Sequence, residues 1–553
     1  MAFIKVIRGS YNGVTKNHKA ADFYLETDDW NDYGYRTLYH LSLSGKHTDD
    51  GEPSQIGSVK ILQLGQESDM FHRVNLGKLD RLDDTFCSLG MSLDYYNRIA
   101  QLKGDLGTRL LSALRDTIHN NKIKTQFNNE DGWNTSLLRG FDKDDEIFKL
   151  APFILSKQYD QFPRIDLSFS FQTEGMSKPM KFNFDSPKYG PNKSESLPNR
   201  IAVVIGRNGS GKSTILSKMA RICFASTVDR EKTALNKVGK ISPKGIGFPQ
   251  LINISYSAFD SFRVPGIYKK EKEQIAKEID KGIGRYMFCG IRDVSKELIE
   301  TMSLLNFGKD GRLCENDIIE DKQTNTLLKP ISKLATEFVR AIEKIRNDND
   351  KKFLFRESFE TLIEEPSLKS EVDNNLLGMD KDMLSDYFMK LSTGHKFVLH
   401  SLCNIIANVE MLSLVLFDEP ETHLHPPLLA ILMKAIRYVL NEKNAFMVLA
   451  THSPVVLQET LSSHVYIVRR EGQMIEIKKP EIQTYGENIG IITSHVFNLT
   501  SDYYDFHDEL DNVLKYFSNN SKNSDKVFSR IEKLFNDDIS MQARAYLLSR
   551  IND

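Results

Sequence analysis

A glycine-rich turn between an apolar strand and a helix carries the clearest chemistry in the chain. The apolar run Ile201–Ile205 is typical of a buried parallel strand, and a helical pattern follows from Ile215. The turn between them matches the pattern GxxxxGK[ST] and consists of Gly206, Arg207, Asn208, Gly209, Ser210, Gly211, Lys212, Ser213 and Thr214. Such glycines let backbone N–H groups surround phosphate oxygens at the positive end of the following helix. We therefore predict a phosphate-binding loop, with Lys212 on the β- and γ-phosphates and Ser213 ligating Mg²⁺.

A second apolar strand, residues 414–417, ends in an acidic pair, Asp418 and Glu419. A carboxylate at the end of a strand beside a phosphate loop completes a Mg²⁺ shell, which predicts a metal role for Asp418. Glu419 is then placed to orient and deprotonate an attacking water, a role that typically contributes about 10²–10⁴ in rate. An acidic turn in solvent is the alternative, and the upstream loop disfavours it.

Two further segments belong with these motifs. Ser392, Gly394 and Lys396 lie at the start of a predicted helix, where a hydroxyl N-cap and a glycine form an anion site. One ATP does not need two phosphate sites in the same chain, so we expect this one to meet the γ-phosphate held by a partner protomer. An ordinary capped helix is the alternative.

His452 follows a third apolar strand. We expect it beside the phosphates, where it hydrogen-bonds the γ-phosphate and the attacking water.

These four pieces, in this order, resemble the ABC ATPase superfamily, and specifically its non-transporter, SMC-like branch. Residues 391–396 resemble its signature motif, with Lys396 where transporters carry glutamine. Residues 418–426 and 485–497 are similar to segments of ATPases in the overcoming-lysogenization-defect group. The resemblance covers about 160–265 and 388–500. It implies ATP and Mg²⁺ as cofactors, and catalytic roles for Glu419 and His452.

The same resemblance implies a homodimer or a higher even-numbered oligomer. Two chains would hold two ATP molecules, with each phosphate loop facing Ser392 and Gly394 of the other chain. His423 and His425 are then expected at the dimer seam rather than as a metal pair. The glutamine of the Q-loop is not evident, and Asp260 stands in its place, where it could act through a metal-bound water.

The resemblance also suggests a biological setting. Nucleases of the overcoming-lysogenization-defect group carry a Toprim domain after the ATPase, and the residues after 497 are too few for one, so we expect no nuclease activity in this chain. An HNH-type arrangement is not seen either. The chain looks like the PtuA ATPase subunits of Septu and retron antiphage defence systems. That family pairs with an HNH nuclease, PtuB, and in retrons with a reverse transcriptase and its single-stranded DNA/RNA. The alternative is a RecF- or SMC-like repair or chromosome-maintenance ATPase that binds DNA directly.

The predicted fold class is α/β, an ABC-type P-loop ATPase head with a mixed sheet flanked by helices. We divide the chain into an N-terminal α+β region (1–155), an ATPase lobe with the phosphate loop (156–265), a helical insertion arm (266–387), a second ATPase lobe (388–500) and a helical C-terminal tail (501–553). Ser44-Gly45-Lys46-His47 resembles a phosphate loop only faintly, because no continuous apolar strand leads into it. The tail contains an apolar stripe with helical spacing, which predicts either a docking face for a partner or a face packed within its own domain. The stripe consists of Phe506, Leu510, Val513, Leu514 and Phe517.

Composition narrows the class further. The 553 residues are 40% apolar and 27% charged, with a formal net charge of −2, which is typical of a globular protein and not of a globally basic nucleic-acid binder. No apolar run approaches the eighteen or so residues of a membrane span, and residues 1–5 show no basic-then-apolar leader. The five cysteines are scattered, which favours reduced, buried thiols. We expect a cytoplasmic protein without a membrane part.

Overall fold

The chain divides into two units, Met1–Gly486 and Glu487–Asp553. The computed structural model describes residues 3–9, 20–48, 51, 53–139, 146–156, 167–184, 197–243, 246–308, 311–323, 325–373, 375–497, 505–519 and 524–552. The first unit contains all the predicted chemistry. The unit boundary precedes the one drawn at 500 from the sequence, because α18, a helix at Ile489–Phe497, belongs to the second unit.

The N-terminal part of the first unit is built on a six-stranded sheet. Its strands are β1 (Ile4–Ile7), β2 (Phe23–Thr27), β3 (Leu38–Leu43), β4 (Ser54–Gln63), β5 (Gly77–Leu79) and β6 (Phe86–Gly90). They lie in the order β5-β1-β2-β3-β4-β6, and only β1 and β2 run parallel. The helices of this part are α1 (Leu93–Ala100), α2 (Leu106–Ala113), α3 (Asn121–Phe127) and α4 (Glu146–Ser156), with a π-helical turn at Trp133–Leu137. Both strands and helices were expected here.

The ATPase part contains two sheets. Strands β7 (Ser168–Gln172), β8 (Met180–Asn183) and β10 (Lys240–Ser242) form a small antiparallel sheet. The strands of the larger sheet are β9 (Ile201–Ile205), β11 (Leu251–Ser255), β12 (Tyr286–Gly290), β13 (Leu414–Asp418), β14 (Phe446–Thr451), β15 (Val465–Glu471) and β16 (Met474–Lys478). They lie in the order β12-β11-β13-β14-β9-β15-β16, and every pair is parallel except the last. The sheet is therefore mixed, as predicted, and its central strands are buried on both faces, which explains their continuous apolar sequences.

Helices cover this sheet. They are α5 (Lys212–Phe224), α6 (Thr227–Arg230), α7 (Thr233–Val238), α8 (Lys269–Lys281), α9 (Val294–Thr301), α10 (Glu315–Ile319), α11 (Ile331–Arg346), α12 (Asn349–Leu362), α13 (Pro366–Glu371), α14 (Lys381–Lys390), α15 (Thr393–Asn408), α16 (Pro426–Glu442) and α17 (Pro454–Gln458). Short 3₁₀ turns occur at Met302–Leu304, Pro420–His423 and Ser462–His464. The molecule is thus a mixed α/β fold with helices packed around the sheet.

The segment 266–387 is not the helical arm predicted from its charged sequence. It contributes β12, which pairs along its whole length with β11 as the edge strand of the large sheet. Its long helices also pack inward, α11 against α15 and α12 against α16. In α11 and α12 the charged residues lie on the outer faces of amphipathic helices, whose apolar faces are buried.

The N-terminal region shares its core with the ATPase part. One continuous cluster of buried apolar side chains runs from the six-stranded sheet through α1 and α4 to the large sheet. An ion pair crosses the same boundary, because Arg285 Nε, just before β12, lies 3.3 Å from Asp94 Oδ1 on α1. The region 1–155 and the ATPase part therefore form one structural body rather than separately packed domains.

The second unit has a core of its own. Besides α18, it contains α19 (Asp505–Asn519), α20 (Ser524–Leu534) and α21 (Met541–Asn552). Leu510 packs with Val527, Ile531 and Leu547, and further apolar residues surround this cluster, among them Val513, Leu514 and Phe517. The stripe predicted as a docking face or a packing face therefore packs within its own unit. The side chain of Phe506 lies outside the described residues.

Three further expectations concern composition. Within the part of the chain that the structure describes, no helix has the length and apolar character needed to cross a membrane. All five cysteines are free thiols, and four are buried, whereas Cys314 is exposed, contrary to expectation. No group of three or more potential metal ligands of the His, Cys, Asp or Glu type occurs among the described residues, which include His423 and His425.

Candidate nucleotide site

Three neighbouring strands of the large sheet bring the predicted site residues to one edge. β14 lies between β9 and β13, and all three run parallel. Ile205 stands beside Thr451, and Asp418 stands beside Ala450. The residues that follow these positions in the chain are consequently neighbours in space. This sheet order is what joins the phosphate loop, the acidic pair and His452.

The phosphate loop adopts a conformation that depends on its glycines. Gly209 and Gly211 have φ angles of 79° and 95°, in the left-handed region that favours glycine. Gly206 is needed for a different reason, because a Cβ there would lie 2.4 Å from the carbonyl oxygen of Val468. The backbone N–H of Ser210 donates to the carbonyl of Arg207 at 3.1 Å, which closes the turn. Helix α5 then begins at Lys212, three residues before the helical pattern predicted from Ile215.

Lys212 is enclosed by the groups of the site. Its Nζ donates to the carbonyl oxygen of Gly206 at 3.2 Å and lies 2.6 Å from His452 Nε2. Burial lowers the pKa of Lys212, whereas the carboxylates of Glu419, Asp418 and Glu421 act in the opposite direction. The lysine thus reaches over its own loop toward the acidic turn and the histidine loop.

Ser213 and Asp418 form the contact expected of a magnesium site. Ser213 Oγ donates to Asp418 Oδ1 at 3.0 Å. Burial raises the pKa of Asp418 to about 7, helped by the charges of Glu419 and Asp260 and opposed by the Ser213 hydrogen bond and by Lys212. A hydroxyl and a carboxylate are hard oxygen donors of the kind Mg²⁺ prefers. A carboxylate with this pKa is one that a bound cation would stabilise, so the residues fit the metal.

Glu419 combines an unusual backbone conformation with an ionised side chain. Its φ of 46° lies in the left-handed region, which costs a residue other than glycine about 1–3 kcal/mol and is concentrated at functional sites. Its N–H donates to the carbonyl of Ala450 at 2.9 Å. Glu419 Oε1 lies 3.4 Å from His452 Nε2, and this contact, together with Lys212, lowers the pKa of Glu419 against the effect of burial. The carboxylate is therefore charged and able to accept a proton.

Glu421 is a site residue that the sequence reasoning missed. Its Oε1 accepts a hydrogen bond from the backbone N–H of His452, which fastens the acidic turn to the histidine loop. Its Oε2 is buried and has no hydrogen-bond partner among the described residues. The signal was available, because Glu421 follows Glu419 by two positions in Asp-Glu-Pro-Glu.

The segment Ser392–Gly394 lies at the exposed N-terminus of α15. Ser392 Oγ accepts from the backbone N–H of His395 at 3.3 Å, as an N-cap does. A Cβ on Gly394 would lie 3.4 Å from the carbonyl oxygen of His423, so the segment abuts the turn that follows the acidic pair. Among the described residues, no hydrogen bond joins Ser392 or Gly394 to the phosphate loop of the same chain. Lys396 Nζ donates a hydrogen bond to the carbonyl oxygen of Leu391 at 2.6 Å, so the lysine binds the backbone of its own segment.

Asp260, expected in place of a Q-loop glutamine, is held by an arginine. Asp260 Oδ1 lies 3.1 Å from Arg292 Nη1, and Arg292 also pairs with Glu297 at 2.6 Å. All three side chains are buried. Asp260 nevertheless contributes to the raised pKa of Asp418, which places its charge near the predicted metal ligands.

Comparison with known proteins gives three kinds of match. Residues 316–458 match the family described as "AAA domain, putative AbiEii toxin, Type IV TA system". Protein ea59 of Escherichia phage lambda is 30% identical over 569 residues, which cover 100% of this chain and 98% of that protein. Among solved structures, MJ1267 in its ADP conformation, an ATP-binding cassette of an ABC transporter, is 11% identical, with a TM-score of 0.26 over 60% of this chain and 95% of that chain. The SMC head domain from Thermotoga maritima is 13% identical, with a TM-score of 0.24 over 57% and 99%.

Proposed function

The chain belongs to the family of protein ea59 of Escherichia phage lambda, and from this premise we propose that it binds ATP with Mg²⁺ and hydrolyses it to ADP and phosphate. The observation that carries the proposal is the 3.0 Å bond between Ser213 and Asp418 at the edge where Lys212, Glu419 and His452 also meet. The matched family is an AAA-type ATPase domain, which agrees with this chemistry. The chain is thus an ABC- and SMC-like ATPase in its fold and its motifs.

Each residue has a defined part in this reaction. The backbone N–H groups of the phosphate loop and Lys212 bind the phosphates, while Ser213 and Asp418 hold the metal. Mg²⁺ bound there would neutralise charge that builds on the phosphate oxygens. Glu419 takes a proton from the water whose oxygen attacks the γ-phosphorus, and the bond to ADP breaks. His452 donates a hydrogen bond to the γ-phosphate and keeps Glu419 oriented through their contact.

The site as a whole is proposed to require two copies of the chain. Ser392 and Thr393 are exposed at the start of the sixteen-residue helix α15, with backbone N–H groups that suit an anion. The phosphate loop of one chain would meet this segment of another, so that two ATP molecules lie between two protomers. Contacts made only when both γ-phosphates are present would close the dimer, and hydrolysis would loosen it.

We further propose that ATP-driven closing regulates a separate HNH nuclease, as the motif resemblance to PtuA subunits of Septu and retron systems suggests. A retron reverse transcriptase with its single-stranded DNA/RNA is a further partner in that setting, in the cytoplasm. Co-purification of an HNH protein from the native host supports this assignment. Direct DNA binding with a steep salt dependence would instead favour the repair or chromosome-maintenance class.

The proposed activity is tested by the variant Glu419→Gln, with Glu442→Gln at the exposed end of α16 as the matched control. Phosphate release from Mg-ATP should fall by about 10² or more in Glu419→Gln, because the water loses its base. ATP binding, measured with a fluorescent analogue, should persist, and the variant should run as a dimer with ATP. Glu442→Gln should match the wild type. Wild-type turnover in Glu419→Gln would remove this residue from its role.

A further inference from the structure

A buried polar network begins at the residue that follows strand β11. Tyr256 is enclosed in the core, and its hydroxyl lies 2.6 Å from His400 Nδ1 on helix α15. The thiol of Cys289, on β12, lies 3.4 Å from both the hydroxyl and the imidazole. These side chains therefore join the end of β11, the edge strand β12 and helix α15.

The network continues to a third layer through Glu337 on α11. His400 Nε2 lies 3.4 Å from Glu337 Oε2, and Lys329 Nζ lies 2.8 Å from the same carboxylate. Burial disfavours the charged imidazole, but the Cys289 sulfur and the Glu337 carboxylate raise the pKa of His400 to about 9. A charged His400 donates from Nδ1 to the tyrosine oxygen, whose O–H then donates to the sulfur. One set of proton positions therefore satisfies the Nδ1–H of His400 and the O–H of Tyr256, while His400 Nε2 faces the Glu337 carboxylate without a hydrogen bond of standard geometry.

Tyr256 also contacts the side of the molecule that faces the nucleotide. His423 Nε2, at the end of the turn that follows the acidic pair, is 3.5 Å from the carbonyl oxygen of Tyr256. The next residues along the chain, 257–260, end at Asp260, whose charge raises the pKa of Asp418. Tyr256 is thus attached by its backbone to both segments that flank the predicted metal ligands.

Helix α15 links the same network to the segment proposed to act in trans. His400 lies about two turns after the N-cap Ser392, and Phe397 between them packs against the ring of Tyr256 with ring centres 4.3 Å apart. Tyr256 is therefore both hydrogen-bonded to and packed against the helix whose first turn contains Gly394 and whose N-cap is Ser392.

We propose that Tyr256 and His400 are a positioning pair that couples the nucleotide site of one chain to the Ser392–Gly394 segment of the same chain. The inference rests on the proposed function, in which that segment completes the site of the partner copy. The pair touches no substrate and acts through the backbone of residues 256–260 and through α15. It gives the dimer a route by which ATP in one site alters the second site.

The first test removes only the hydroxyl, with Tyr256→Phe, and uses Tyr438→Phe on α16 as the matched control. Coupling networks of this kind are worth about 3- to 30-fold, so kcat should fall by that factor in Tyr256→Phe. The Kd for ATP should stay near the wild-type value, whereas the melting temperature should fall by a few degrees, because the buried Nδ1–H of His400 loses its acceptor. A network that only supports the fold would lower the melting temperature and leave kcat per folded molecule unchanged, which would overturn the proposal.

The second test follows the signal directly by hydrogen–deuterium exchange, with and without Mg-ATP. In the wild type, ATP should slow exchange at residues 206–214 and change it in α15, residues 393–408. In Tyr256→Phe the first effect should persist and the second should disappear. An unchanged response of α15 in this variant overturns the positioning pair alone. Absence of protection at 206–214 in the wild type overturns the proposed function as well, so the two failures are distinguishable.

A third measurement asks whether the two side chains act as one unit. His400→Gln and Tyr256→Phe should each lower kcat, and the double variant should lose no more than the larger single effect, within about twofold. Multiplying effects would show independent residues and overturn the pair. Tyr256→Phe by itself keeps the proposal testable if His400→Gln proves unstable through the unpaired Glu337.

Discussion

The loop after β3 and the loop after β9 each place a lysine near a histidine and a carboxylate, and in the second case the histidine, His452, comes from the loop after β14. In the first, Lys46 Nζ lies 3.1 Å and His47 Nε2 lies 2.7 Å from Asp22 Oδ1. In the second, His452 Nε2 lies 2.6 Å from Lys212 Nζ and 3.4 Å from Glu419 Oε1. The residue types are almost the same, and the sequences Ser-Gly-Lys occur in both loops.

The two loops differ in what else surrounds them. Strand β3 is antiparallel to both of its neighbours, β2 and β4. The carboxyl end of β3 therefore lies beside the amino ends of these strands, and the loops that follow the three strands do not all lie at one edge of the sheet. The Lys46 side chain is 58% exposed, and the hydrogen bonds of Asp22, one of them from the backbone of Phe3, hold its pKa at about 2 against burial. Lys212 is 4% exposed and stands among parallel strands that deliver further carboxylates. The comparison teaches that strand direction, rather than residue type, turns such a loop into a site.

The strongest test of this comparison replaces the two lysines one at a time. Lys212→Ala should weaken ATP binding by at least about 10²-fold, because a buried charge on the phosphates is lost. Lys46→Ala should leave the affinity unchanged, since its charge serves Asp22 at the surface. Calorimetric titration with Mg-ATP provides the measurement. Equal losses in the two variants would contradict the assignment of the loop after β9.

A second variant sharpens the picture of the acidic turn. Glu421→Gln should lower kcat about tenfold, in the range typical of groups that orient a catalytic residue, because the His452 loop is then held more weakly. The affinity for ATP should change little, since Glu421 does not reach the phosphate loop by a hydrogen bond. Steady-state phosphate release and equilibrium binding separate the two quantities. A loss of affinity without a loss of kcat would argue against a positioning role.

A third experiment asks whether the site of the second loop is shared between copies. Ser392→Arg and Lys212→Ala should each be inactive alone, yet an equal mixture should regain measurable activity, at most about one quarter of the wild-type value, because half the dimers then contain one intact composite site and hold a single ATP. Phosphate release after mixing and re-equilibration gives the readout. An inactive mixture that still forms heterodimers would contradict the head-to-tail arrangement.

The sequence predicted the local structure around the site well, because each motif is confined to a strand and the turn that follows it. The apolar runs before Gly206, Asp418 and His452 are β9, β13 and β14, and α5 begins at Lys212, three residues before the helical pattern predicted from Ile215. The apolar runs alone did not give the order of the strands, but the order of the motifs along the chain implied that the three strands end at one edge of the sheet.

Contacts between residues distant in the chain could not be predicted from the local hydrophobic pattern. Strand β12 is a five-residue apolar run among charged helices, and nothing local distinguishes it from a helix face, so its place in the sheet was missed. Glu421 and Tyr256 were missed because their partners, His452 and His400, are distant in the chain. The stripe around Leu510 had two interpretations of equal standing, which only the packing of α19 to α21 separates.

The smallest predicted effect concerns Asp418 and distinguishes the two loops by pH. Because burial raises the pKa of Asp418 to about 7 from 3.8, the folded protein takes up a proton there that the unfolded chain does not, and the free energy of unfolding rises as pH falls from about 7 toward 4. Asp418→Asn removes this buried charge and should raise the melting temperature by roughly 2–4 °C at pH 8 without Mg-ATP, with the gain shrinking as pH falls below about 7 and vanishing near pH 4. Asp22→Asn should do the opposite, because the pKa of Asp22 is lowered to about 2, so that its charge stabilises the fold at every pH above about 4. A melting temperature that falls at pH 8 in Asp418→Asn would mean that this carboxylate is held by its neighbours as Asp22 is, and the contrast between the loops would no longer hold.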